Sequence, residues 1–547
     1  MLRQQPETLI NRNEAEARDL SAEYFADGYP KPEEFLEVLE KTNPEYVETY
    51  QAALKIAEVC REEGGRALLV GGSVRDYYFN LVPKDYDIEI YRLERPKIIE
   101  IISQFGTVKE VGKAFKVMSL VLPNGASLDV SLPRVDNKTG PGHKGFEVTS
   151  DPYMSIKDAA IRRDFTINSL AADPLTGEVY NYYDGLNDIK NRVLRVTDEK
   201  KFKEDALRVL RGAQFFARMS LSADDTCRRI LTETSHDIGE LSKDRFIIEW
   251  EKLMIKGFRP SRGLELLKDL GVLKEWHPEL DVLSNIPQEQ EWHPEGDVWR
   301  HTLMSVDAAS EHLNDFGLDK EQKLTVMLAT LCHDLGKATT TEFNPQKQRL
   351  TTHGHGEAGA EPTKRFLTSI GLDQNNIEFN KIIKLVIEHL SPTFLYFRNF
   401  ESKQKVKVAA DGAIRRLAKR IHPATIRELV AVATADHLGR GPFTEENGQT
   451  IFNLYEAGQW LIQEAESLGV DKEPPKKILT GRDLVILGFK PGKNIGRIMT
   501  LADNLRDSKG LNETDVLGHI IITKPEGVQG SEDEEEIISV LEKLAQE

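Results

Sequence analysis

The sequence predicts an α+β fold in which a mixed-sheet domain precedes a long series of helices. Short apolar segments, several of them bounded by Gly or Pro, occupy residues 51–198 and are typical of strands between helices. From Asp198 onward apolar residues repeat at three- and four-residue spacing, as in EDALRVLRGAQFFARM, which is the pattern of amphipathic helices. With 547 residues the chain is too long for one hydrophobic core, so we expect three to four domains.

These patterns divide the chain into consecutive parts. Seven of the 13 histidines lie between His293 and His389, inside a second helical region that the pattern separates from the first. The predicted parts are an N-terminal helical extension (1–50), the strand-containing domain (51–198), a helical neck and body (199–285), an all-helical domain (286–445) and a helical C-terminal tail (446–547).

Composition limits the classes of function. No apolar run is long enough to span a bilayer and the N-terminus is polar, so we expect a cytoplasmic protein without a membrane partner. The three cysteines lie far apart, which indicates neither a disulfide framework nor a thiolate zinc site. The net charge of −17 argues mildly against a nucleic-acid partner, unless basic side chains are gathered on one face.

A glycine turn precedes a pair of aspartates in LLVGGSVRDYYFNLVPKDYDIEIY. An apolar strand runs into Gly71 and Gly72, where the absence of Cβ atoms lets the backbone approach a triphosphate. Arg75, one turn into the following helix, can donate to phosphate oxygens. Asp85 and Asp87 are two residues apart in a strand, so both side chains leave the same face.

This aspartate pair predicts a magnesium site. Two neighbouring carboxylates repel each other unless a cation lies between them, and their hard oxygen atoms suit Mg²⁺. Two such ions would form the two-metal clamp of nucleotidyl transfer. Asp129, in ASLDVSL, is the candidate third carboxylate. The alternative is that Asp85 and Asp87 lie on the exposed face of an edge strand.

Three ordered motifs together resemble one family. GGSVRD followed by KDYD resembles the head domain of the class II tRNA nucleotidyltransferases, the CCA-adding enzymes of the DNA polymerase β superfamily. IRRDFTINSLAADPLTGEVYNYYDG resembles the next motif of this family, and EDALRVLRGAQFFAR resembles its nucleotide-selecting helix. The resemblance implies a polymerase-β-like nucleotidyltransferase head, and addition of CCA to the tRNA 3′ end from CTP and ATP without a template.

The physical chemistry of base selection supports the assignment of Asp205 and Arg208. The two are three residues apart, so on a helix they share a face, and Arg211 follows. Cytosine and adenine each present an amino donor beside a ring-nitrogen acceptor, which a carboxylate and a guanidinium match. Uracil and guanine reverse this pattern and would leave buried groups unpaired, at a cost of about 1–3 kcal/mol each. The alternative is an ordinary surface ion pair.

The RRDFTIN motif supplies further candidates for nucleotide binding. Arg162 and Arg163 are candidates for the triphosphate, Asp164 for the ribose hydroxyls, and Asn168 for orienting either. Gln214 stands where the family often has a further Arg, which puts one phosphate contact in doubt. The Gly-rich stretch 134–156 resembles the family's flexible loop and favours full CCA addition.

The order of His301, the His333–Asp334 pair in LCHDLGK, and Asp436 in TADH resembles the HD phosphohydrolase superfamily. The resemblance implies an all-α domain in which these four residues bind one divalent metal. Nitrogen and oxygen ligands suit Mn, Fe, Ni or Co more than Mg²⁺ alone. The metal would lower the pKa of bound water and so generate a nucleophile. The alternative is a degenerate domain in which the histidine and aspartate are merely structural.

The sequence also predicts roles for other residues near this motif. Lys337 is a candidate for phosphate contact, and Gly336 for a helix stop. Some bacterial CCA-adding enzymes carry such an HD domain, and the resemblance to them implies phosphatase and 2′,3′-cyclic phosphodiesterase activity. Three further histidines are candidates for a second metal or for substrate: His353, His355 and His389. We interpret two Trp-His-Pro-Glu repeats as packing or turn elements: Trp276–Glu279 and Trp292–Glu295.

Other functions remain open from the sequence. The same chemistry could yield an A-adding or CC-adding enzyme or a poly(A) polymerase. A second class is an HD hydrolase whose head has become a non-catalytic RNA-binding module, against which the aspartate pair argues. A third is a nucleotide-sensing regulator, which magnesium-dependent pyrophosphate release would exclude.

Overall fold

The computed structural model describes residues 28–83, 85–111, 117–138, 146–401, 407–441, 443–444, 450–451 and 455–546. The chain forms two compact units. The first runs to Glu249 and includes Glu265–Val272, and the second comprises Trp250–Leu264 and Leu273–Glu547. The predicted extension 1–50 therefore lies outside the described residues over its first 27 positions.

A seven-stranded mixed sheet forms the centre of the first unit. The strands of this unit are β1 (Arg66–Val70), β2 (Asp87–Tyr91), β3 (Thr107–Val111), β4 (Val117–Val121), β5 (Ser127–Ser131), β6 (Arg134–Lys138), β7 (Phe146–Ser150), β8 (Ala171–Ala172), β9 (Val179–Tyr180), β10 (Val193–Leu194) and β11 (Ser222–Ala223). The sheet has the order β3-β4-β5-β2-β1-β8-β9, and only β2 and β5 pair in parallel within it. Four segments that the apolar pattern predicts as strands, ALLVGG, DYDIEIY, VMSLVLP and SLDVSLP, are confirmed as β1, β2, β4 and β5.

Helices flank this sheet and continue beyond it. Side-chain caps begin several of them: Asp198 accepts from the backbone N–H of Lys201, and Asp224 from that of Cys227. The helices are α1 (Pro32–Thr42), α2 (Val47–Glu62), α3 (Gly72–Tyr78), α4 (Arg95–Ile102), α5 (Ile156–Ala160), α6 (Gly185–Lys190), α7 (Glu199–Phe202), α8 (Leu207–Met219), α9 (Asp225–Ser235), α10 (Lys243–Lys256), α11 (Pro260–Asp269) and α12 (Val272–Trp276).

The Gly-rich stretch 134–156 is not a loop throughout. Strands β6 and β7 pair antiparallel from Arg134 opposite Ser150 to Lys138 opposite Phe146. The residues between them, 139–145, lie outside the described part of the chain. The glycines and the single proline of GPGHKG thus lie between the two strands in the sequence, and polar residues on either side, which the sequence predicts as loop, form the strand pair.

The second unit is helical apart from two short hairpins. Its further elements are α13 (Pro278–Asp281), α14 (Val298–His312), α15 (Lys320–Cys332), α16 (Lys337–Thr340), β12 (Glu342–Asn344), β13 (Arg349–Thr351), α17 (His355–Ala358), α18 (Ala360–Ser369), α19 (Ile377–Glu388), α20 (Ser391–Glu401), α21 (Lys407–Ile421), α22 (Ile426–Leu438), β14 (Phe443–Thr444), β15 (Thr450–Ile451), α23 (Glu456–Ser467), α24 (Gly481–Ile486), α25 (Lys493–Lys509), α26 (Glu513–Thr523) and α27 (Ser531–Gln546). Helices α14, α15 and α22 pack on one another. None of the helices among the described residues is long and apolar enough to cross a membrane.

The last four helices have a hydrophobic core of their own. Leu484, Phe489, Ile498, Leu505 and Ile538 are buried together between α24 and α27. The C-terminal tail is therefore a packed helical layer, and the acidic residues at the start of α27 lie near its positive end, where negative charge is favourable.

The part of the N-terminal extension within the described residues contacts two elements of the head through edge-to-face aromatic rings. The Phe35 ring of α1 lies 4.7 Å from Tyr50 in α2 and 5.8 Å from Tyr77 in α3. Tyr50 in turn lies 5.5 Å from Tyr86, which is buried immediately before β2. The extension thus braces the helix after the glycine turn and the strand that begins at Asp87.

We expect Tyr50→Ala to lower the rate constant of the head's reaction by about tenfold, because the loss of a ring at this brace loosens Tyr86 between the two aspartates. Tyr50→Phe is the matched control. The Tyr50 hydroxyl is buried without a hydrogen-bond partner among the described residues, so its removal should leave the rate unchanged. Single-turnover kinetics of both variants measure the effect, and equal rates for Tyr50→Ala and the wild type would contradict the brace.

Two candidate catalytic centres

The first centre gathers three carboxylates at the middle of the sheet. Asp87 begins β2, and the parallel register places it directly opposite Asp129 of β5. Asp85 is exposed two residues before Asp87. Burial raises the pKa of Asp87, opposed by the charge of Arg163 and reinforced by those of Asp129 and Asp85, and the net value is about 6. A divalent cation would relieve this repulsion, so the donor set fits the magnesium predicted here.

The glycine turn lies beside these carboxylates. Gly71 has φ +68°, a conformation that favours glycine, and its backbone N–H donates to the carbonyl oxygen of Leu170. A Cβ atom at Gly71 would lie 2.8 Å from a guanidinium nitrogen of Arg163. Arg163 therefore occupies the space that the missing side chain leaves, next to the start of α3. This arrangement puts a cation and a closely approachable backbone at one place.

A chain of hydrogen bonds joins predicted nucleotide contacts to one another. Arg75, in the first turn of α3, donates to Asp76 at 2.8 Å and to Asn168 Oδ1 at 2.6 Å. Asn168 Nδ2 donates to Asp164 Oδ1 at 2.8 Å, and Arg211 Nε donates to Asp164 Oδ2 at 2.6 Å. Asp164 is buried and both of its oxygens accept hydrogen bonds, so its geometry suits orienting Arg211 better than contacting ribose. Asp76 also belongs to this chain of hydrogen bonds, although the sequence did not indicate it.

Arg162 differs from its predicted role. Its guanidinium donates to Glu89 Oε1 at 2.7 Å, and Tyr91 donates its hydroxyl to Glu89 Oε2 at 2.6 Å. Although burial alone would raise the pKa of Glu89, the charges of Arg162 and Arg163 hold it below its usual value. The pattern of β2 placed Glu89 on the face of the aspartates, but the structure uses it as a buried counter-ion for Arg162.

Asp205 and Arg208, the predicted base-selecting residues, do not form an ion pair with each other in the structure. Helix α8 begins at Leu207, so Asp205 precedes it and accepts from the backbone N–H of Leu207, instead of lying on the same helix as Arg208. Asp205 Oδ2 accepts from Arg245 at 2.7 Å, while Arg208 donates to the carbonyl oxygens of Lys201 and Arg162. Arg245 lies far along the chain on α10, and no local signal could have indicated it.

The second centre collects four predicted metal ligands in the interior of the second unit. His301 Nε2 lies 3.0 Å from Asp436 Oδ1 and 3.3 Å from His333 Nε2. Asp334 Oδ2 lies 3.3 Å from His333 Nε2 and 3.8 Å from His301 Nε2. Bonds of about 2.1 Å to one metal would separate ligand atoms by roughly 3.0 to 3.4 Å. Three of the four distances lie in this range and the fourth, at 3.8 Å, is slightly longer, so the four residues are placed to hold a single divalent ion.

Asp334 also belongs to a second group of ligands. Its other oxygen, Oδ1, lies 3.5 Å from His355 Nε2, which is 3.2 Å from His389 Nε2. Burial lowers the pKa of His389 to about 3, so the ring is neutral. Of the three further candidate histidines, His353 is exposed and separate from this group, which therefore holds two of them. Asp334 can bridge two metal ions.

Backbone carbonyls fix which ring nitrogen faces each group. The Nδ1 atoms of His333, His355 and His389 lie 2.6 to 2.8 Å from the carbonyl oxygens of Thr330, Thr352 and Val386. Each Nδ1 must therefore carry the proton, which leaves the lone pair on Nε2. The Nε2 lone pairs of His355 and His389 then face each other across 3.2 Å. Such a contact is unfavourable unless a cation lies between the rings, so the donors fit a metal.

Glu295 orients the remaining histidine ligand. Its Oε1 accepts from His301 Nδ1 and from His293 Nδ1, each at 2.8 Å, and its Oε2 accepts from the backbone N–H of Gly441. Although burial alone would raise the pKa of Glu295, these hydrogen bonds hold it well below its usual range. Trp292–Glu295 forms turns, as its interpretation as a packing or turn element predicts, and its carboxylate also contacts the candidate metal ligand His301. The first repeat does pack: His277 is buried against Trp250 and Phe366.

Lys337 and Gly336 lie directly after the His-Asp pair. Lys337 Nζ is 2.7 Å from Asp334 Oδ2 and donates to Gln288 Oε1 at 2.8 Å, so this buried ammonium holds the bridging carboxylate. Gly336 is not the predicted helix stop, because α15 has already ended at Cys332. Glycine is required there because the backbone at residue 336 passes close to that of His355: a Cβ atom would lie 1.9 Å from the carbonyl oxygen of His355.

Gly336→Ala is expected to separate the turn that carries Asp334 from the segment that carries His355, because the backbone atoms in contact cannot yield as a side chain would. The second ligand group should lose its ion while His301, His333 and Asp436 retain theirs. Metal content per chain measures this, with a fall by about one equivalent expected. Gly518→Ala, in open space on α26, should change nothing, and full metal content in Gly336→Ala would refute the explanation.

Family models match the regions that hold the three carboxylates and the histidine–aspartate groups. Residues 67–195 match the family model of the poly A polymerase head domain, and residues 298–441 match that of the HD domain. Residues 222–283 match a model described as a probable RNA and SrmB-binding site of polymerase A. The crystal structure of the Bacillus stearothermophilus CCA-adding enzyme in complex with CTP has the same fold, with a TM-score of 0.55, 20% identity, and coverage of 84% of this chain and 93% of that chain.

Curated relatives are similar over most of the chain. The multifunctional CCA protein of Pasteurella multocida is 30% identical over 429 residues, which are 77% of this chain and 96% of the relative. That of Xanthomonas campestris pv. campestris is 33% identical over 380 residues, which are 68% of this chain and 85% of the relative. Because identity of this extent covers nearly the whole of each relative, the chain belongs to the family of multifunctional CCA proteins.

Proposed function

We propose that the head of this protein adds cytidine and adenosine residues from CTP and ATP to the 3′ end of tRNA. Asp85, Asp87 and Asp129 would hold the Mg²⁺ ions, which supply charge neutralisation at the reacting phosphates. The tRNA 3′-hydroxyl forms a bond to the α-phosphorus, the α–β phosphoanhydride bond breaks, and pyrophosphate leaves. The observation that carries the proposal is the parallel register of Asp87 with Asp129 beside the Gly71 turn.

The surrounding cations bind and orient the triphosphate. Arg163 lies at the Gly71 turn, and Gly72 opens α3, whose N-terminus carries partial positive charge. Arg75 and Arg211 are held rigidly by Asn168 and Asp164, so they need no ordering when the nucleotide arrives. Arg162 acts on the nucleotide only indirectly, because its ion pair with Glu89 fixes the segment that carries Arg163.

Asp205 and Arg208 would read the base. Arg245 holds the Asp205 carboxylate, and the two carbonyl acceptors hold the Arg208 guanidinium, so each group is fixed in place before a base arrives. A base with an amino donor beside a ring-nitrogen acceptor would pair with both. This fixed pair accounts for addition of C and A and rejection of U and G.

The test is incorporation of labelled CTP and ATP, with Mg²⁺, into one tRNA supplied without CCA, ending in C, and ending in CC. Extension of all three to CCA, with UTP and GTP refused, is the expected result. Extension of the CC-ending tRNA alone would identify an A-adding enzyme, and arrest at CC would identify a CC-adding enzyme. Long adenosine tails would identify a poly(A) polymerase, and no extension would leave the head as a binding module.

A second function is favoured by the two ligand groups that share Asp334. We propose that this centre hydrolyses phosphoesters such as 2′,3′-cyclic phosphates and terminal phosphates. Water adds to the phosphorus, one P–O bond breaks, and the departing oxygen takes a proton, which leaves a monoester from a cyclic diester. His301, His333, Asp334 and Asp436 would hold one Mn, Fe, Ni, Co or Mg ion and His355 and His389 a second, which supply an activated water. Lys337 keeps the Asp334 carboxylate ionised for both ions.

The hydrolase is tested on protein treated with chelator and reloaded with each metal in turn. Release of phosphate from a nucleoside 2′-phosphate, and ring opening of a 2′,3′-cyclic phosphate, should return with one or more transition metals. Absence of both reactions with every metal would mean a degenerate HD domain. The purified Asp87→Asn protein serves as control, because it keeps this centre intact and excludes turnover by the head.

We propose the remaining assignments on the same basis. The head comprises 51–198, the neck and body 199–285, the HD domain 286–445 and the tail 446–547, with tRNA lying along the neck, body and tail. Since the chain carries a net charge of −17, its basic side chains must act locally, and binding of tRNA should weaken steeply with salt. These reactions would take place in the cytoplasm.

A further inference from the structure

Helix α7 carries backbone atoms that hold both of the proposed base-reading residues. The carbonyl oxygen of Lys201 accepts from Arg208 Nη1 at 2.7 Å, and the centroid of the Phe202 ring lies 5.9 Å from the same guanidinium. Asp205 follows three residues after the helix ends, and its backbone N–H donates to the carbonyl oxygen of Phe202. The positions of both base-reading residues therefore depend on this one helix.

This helix needs support from other elements, because it has only four residues and so few hydrogen bonds of its own. At its start, the Asp198 side chain accepts from the backbone N–H of Lys201 at 2.8 Å. On its inner side Phe202 is completely buried, and its ring lies 5.4 Å from that of Phe165. On its outer side, charged side chains join it to helix α9.

Four charged side chains of alternating sign form a closed ring between α7 and α9. Arg229 of α9 donates to both oxygens of Glu199, at 3.1 and 2.9 Å, and to both oxygens of Glu233, at 2.9 and 3.1 Å. Lys203 closes the ring, with its Nζ 2.7 Å from each of the two glutamates. The hydrogen bonds from Arg229 and Lys203 lower the pKa of Glu199 to about 2, so this carboxylate is ionised at neutral pH.

The geometry of this ring distinguishes it from an ordinary surface ion pair. An isolated pair of exposed charges contributes little, whereas bidentate arginine contacts joined in a network contribute more. The four side chains are 38 to 47% exposed, so salt screens their attraction. Arg228, the preceding residue on α9, pairs instead with Asp269 of α11 at 3.5 Å. Neighbouring arginines on one helix thus hold different elements.

We infer that Arg229 positions the base-reading pair through this ring, so that α9 sets how strictly C and A are preferred over U and G. The inference rests on the proposed reading of the base by Asp205 and Arg208. A shift of α7 moves the Lys201 carbonyl oxygen and the guanidinium bound to it, whereas the three carboxylates proposed to hold magnesium lie on other elements. Selection of the base should therefore change more than the rate of addition.

The test compares Arg229→Gln with Arg228→Gln, a matched loss of charge on the same helix, in the full-length protein with a tRNA lacking CCA. In Arg229→Gln the ratio of kcat/KM for CTP to that for UTP should fall about 3- to 10-fold, mainly because KM for CTP rises. Arg228→Gln should keep the wild-type ratio. Glu199→Gln acts through the same ring, so adding it to Arg229→Gln should lower the ratio no further. An unchanged ratio in Arg229→Gln would overturn the inference.

Ionic strength provides a second measurement of the same ring. Because salt screens exposed charges, discrimination by the wild type should fall towards that of Arg229→Gln between about 0.05 and 0.5 M salt, while the ratio of the variant stays constant. The ratio cancels the effects of salt on binding of tRNA and of the triphosphate, which are common to both nucleotides. Constant discrimination by the wild type over this range would contradict the inference.

Hydrogen exchange separates the inference from the proposed function, because it needs no turnover. The backbone N–H groups of Lys203, Glu204 and Asp205 donate to carbonyl oxygens of α7, and they should exchange faster in Arg229→Gln but not in Arg228→Gln. If exchange rises while the wild type does not discriminate between nucleotides, the proposed base reading fails and the positioning of this segment stands. If the wild type discriminates and Arg229→Gln changes neither exchange nor the ratio, the inference fails and the proposed function stands.

Discussion

Asp87→Asn is expected to reduce nucleotide addition by roughly a thousandfold or more, and to leave hydrolysis at the HD centre unchanged. Asn keeps the volume of the side chain but removes the charge that lies opposite Asp129. Loss of one preorganised electrostatic contact typically costs a factor of about 10² to 10³, and this residue would contact both ions. Incorporation of labelled CTP into tRNA lacking CCA measures the first activity, and phosphate release measures the second.

The control for Asp87→Asn is Ser127→Ala. Ser127 is exposed on β5, two residues before Asp129 and on the same face, so it tests the effect of any change on this strand surface. Its incorporation rate should equal that of the wild type. Substantial activity in Asp87→Asn would place the reaction elsewhere, and parallel loss of hydrolysis would show that the two centres depend on each other.

Acid should weaken the magnesium site in a predictable range. Because burial and the neighbouring carboxylates raise the pKa of Asp87 to about 6, protons compete with Mg²⁺ below that pH and not above it. The Mg²⁺ concentration for half-maximal addition should therefore rise by up to about tenfold for each pH unit below 6. Asp129→Asn removes one of the charges that raise the pKa, so its profile should shift to lower pH. A flat profile between pH 5 and 7 would contradict this assignment.

Sequence reasoning identified the parts of the first centre that depend on local spacing. Asp85 and Asp87 follow from a two-residue alternation, and Gly71 from a strand that ends in two glycines. Asp129 was only a candidate, because strand alternation predicts which face of the sheet it lies on but not which residue lies opposite it. The parallel pairing of β2 and β5 places it opposite Asp87. Strand β3 was missed, since its sequence TVKEV is short and contains two charged residues.

The partners that orient the site residues could not be predicted. Arg245 reaches Asp205 from 40 residues away, and Glu295 supports His301 from a segment whose Trp-His-Pro-Glu sequence occurs twice. The two copies differ in the structure because His277 is surrounded by aromatic rings, while His293 shares a carboxylate with a metal ligand. Hydrogen bonds of this kind depend on tertiary packing, which a single sequence does not reveal. Among the histidines, packing also decided that His389 joins the group and His353 does not.

The bridging position of Asp334 leads to the second large effect. Asp334→Asn is expected to remove both metal ions and to reduce hydrolysis by roughly a thousandfold, because each carboxylate oxygen faces a different ligand group. An amide offers one neutral oxygen and cannot serve both groups. By contrast, His389→Ala should lose only the ion of the second group, because His389 is not a member of the first group, His301, His333 and Asp334.

Metal content per chain and phosphate release distinguish a bridged pair from a single-ion site. With a bridged pair, the wild type should bind two equivalents, His389→Ala one, and Asp334→Asn none. With a single-ion site, the wild type and His389→Ala would bind the same amount, and the group at His355 would be structural.

Glu295→Gln is the conservative variant: it keeps all the ligands but weakens the hydrogen bond that orients His301, so its metal affinity should fall by only about 10- to 100-fold. Because nucleotide addition uses none of these residues, it should proceed at the wild-type rate in all three variants, and its loss would mean misfolding instead of a missing ion.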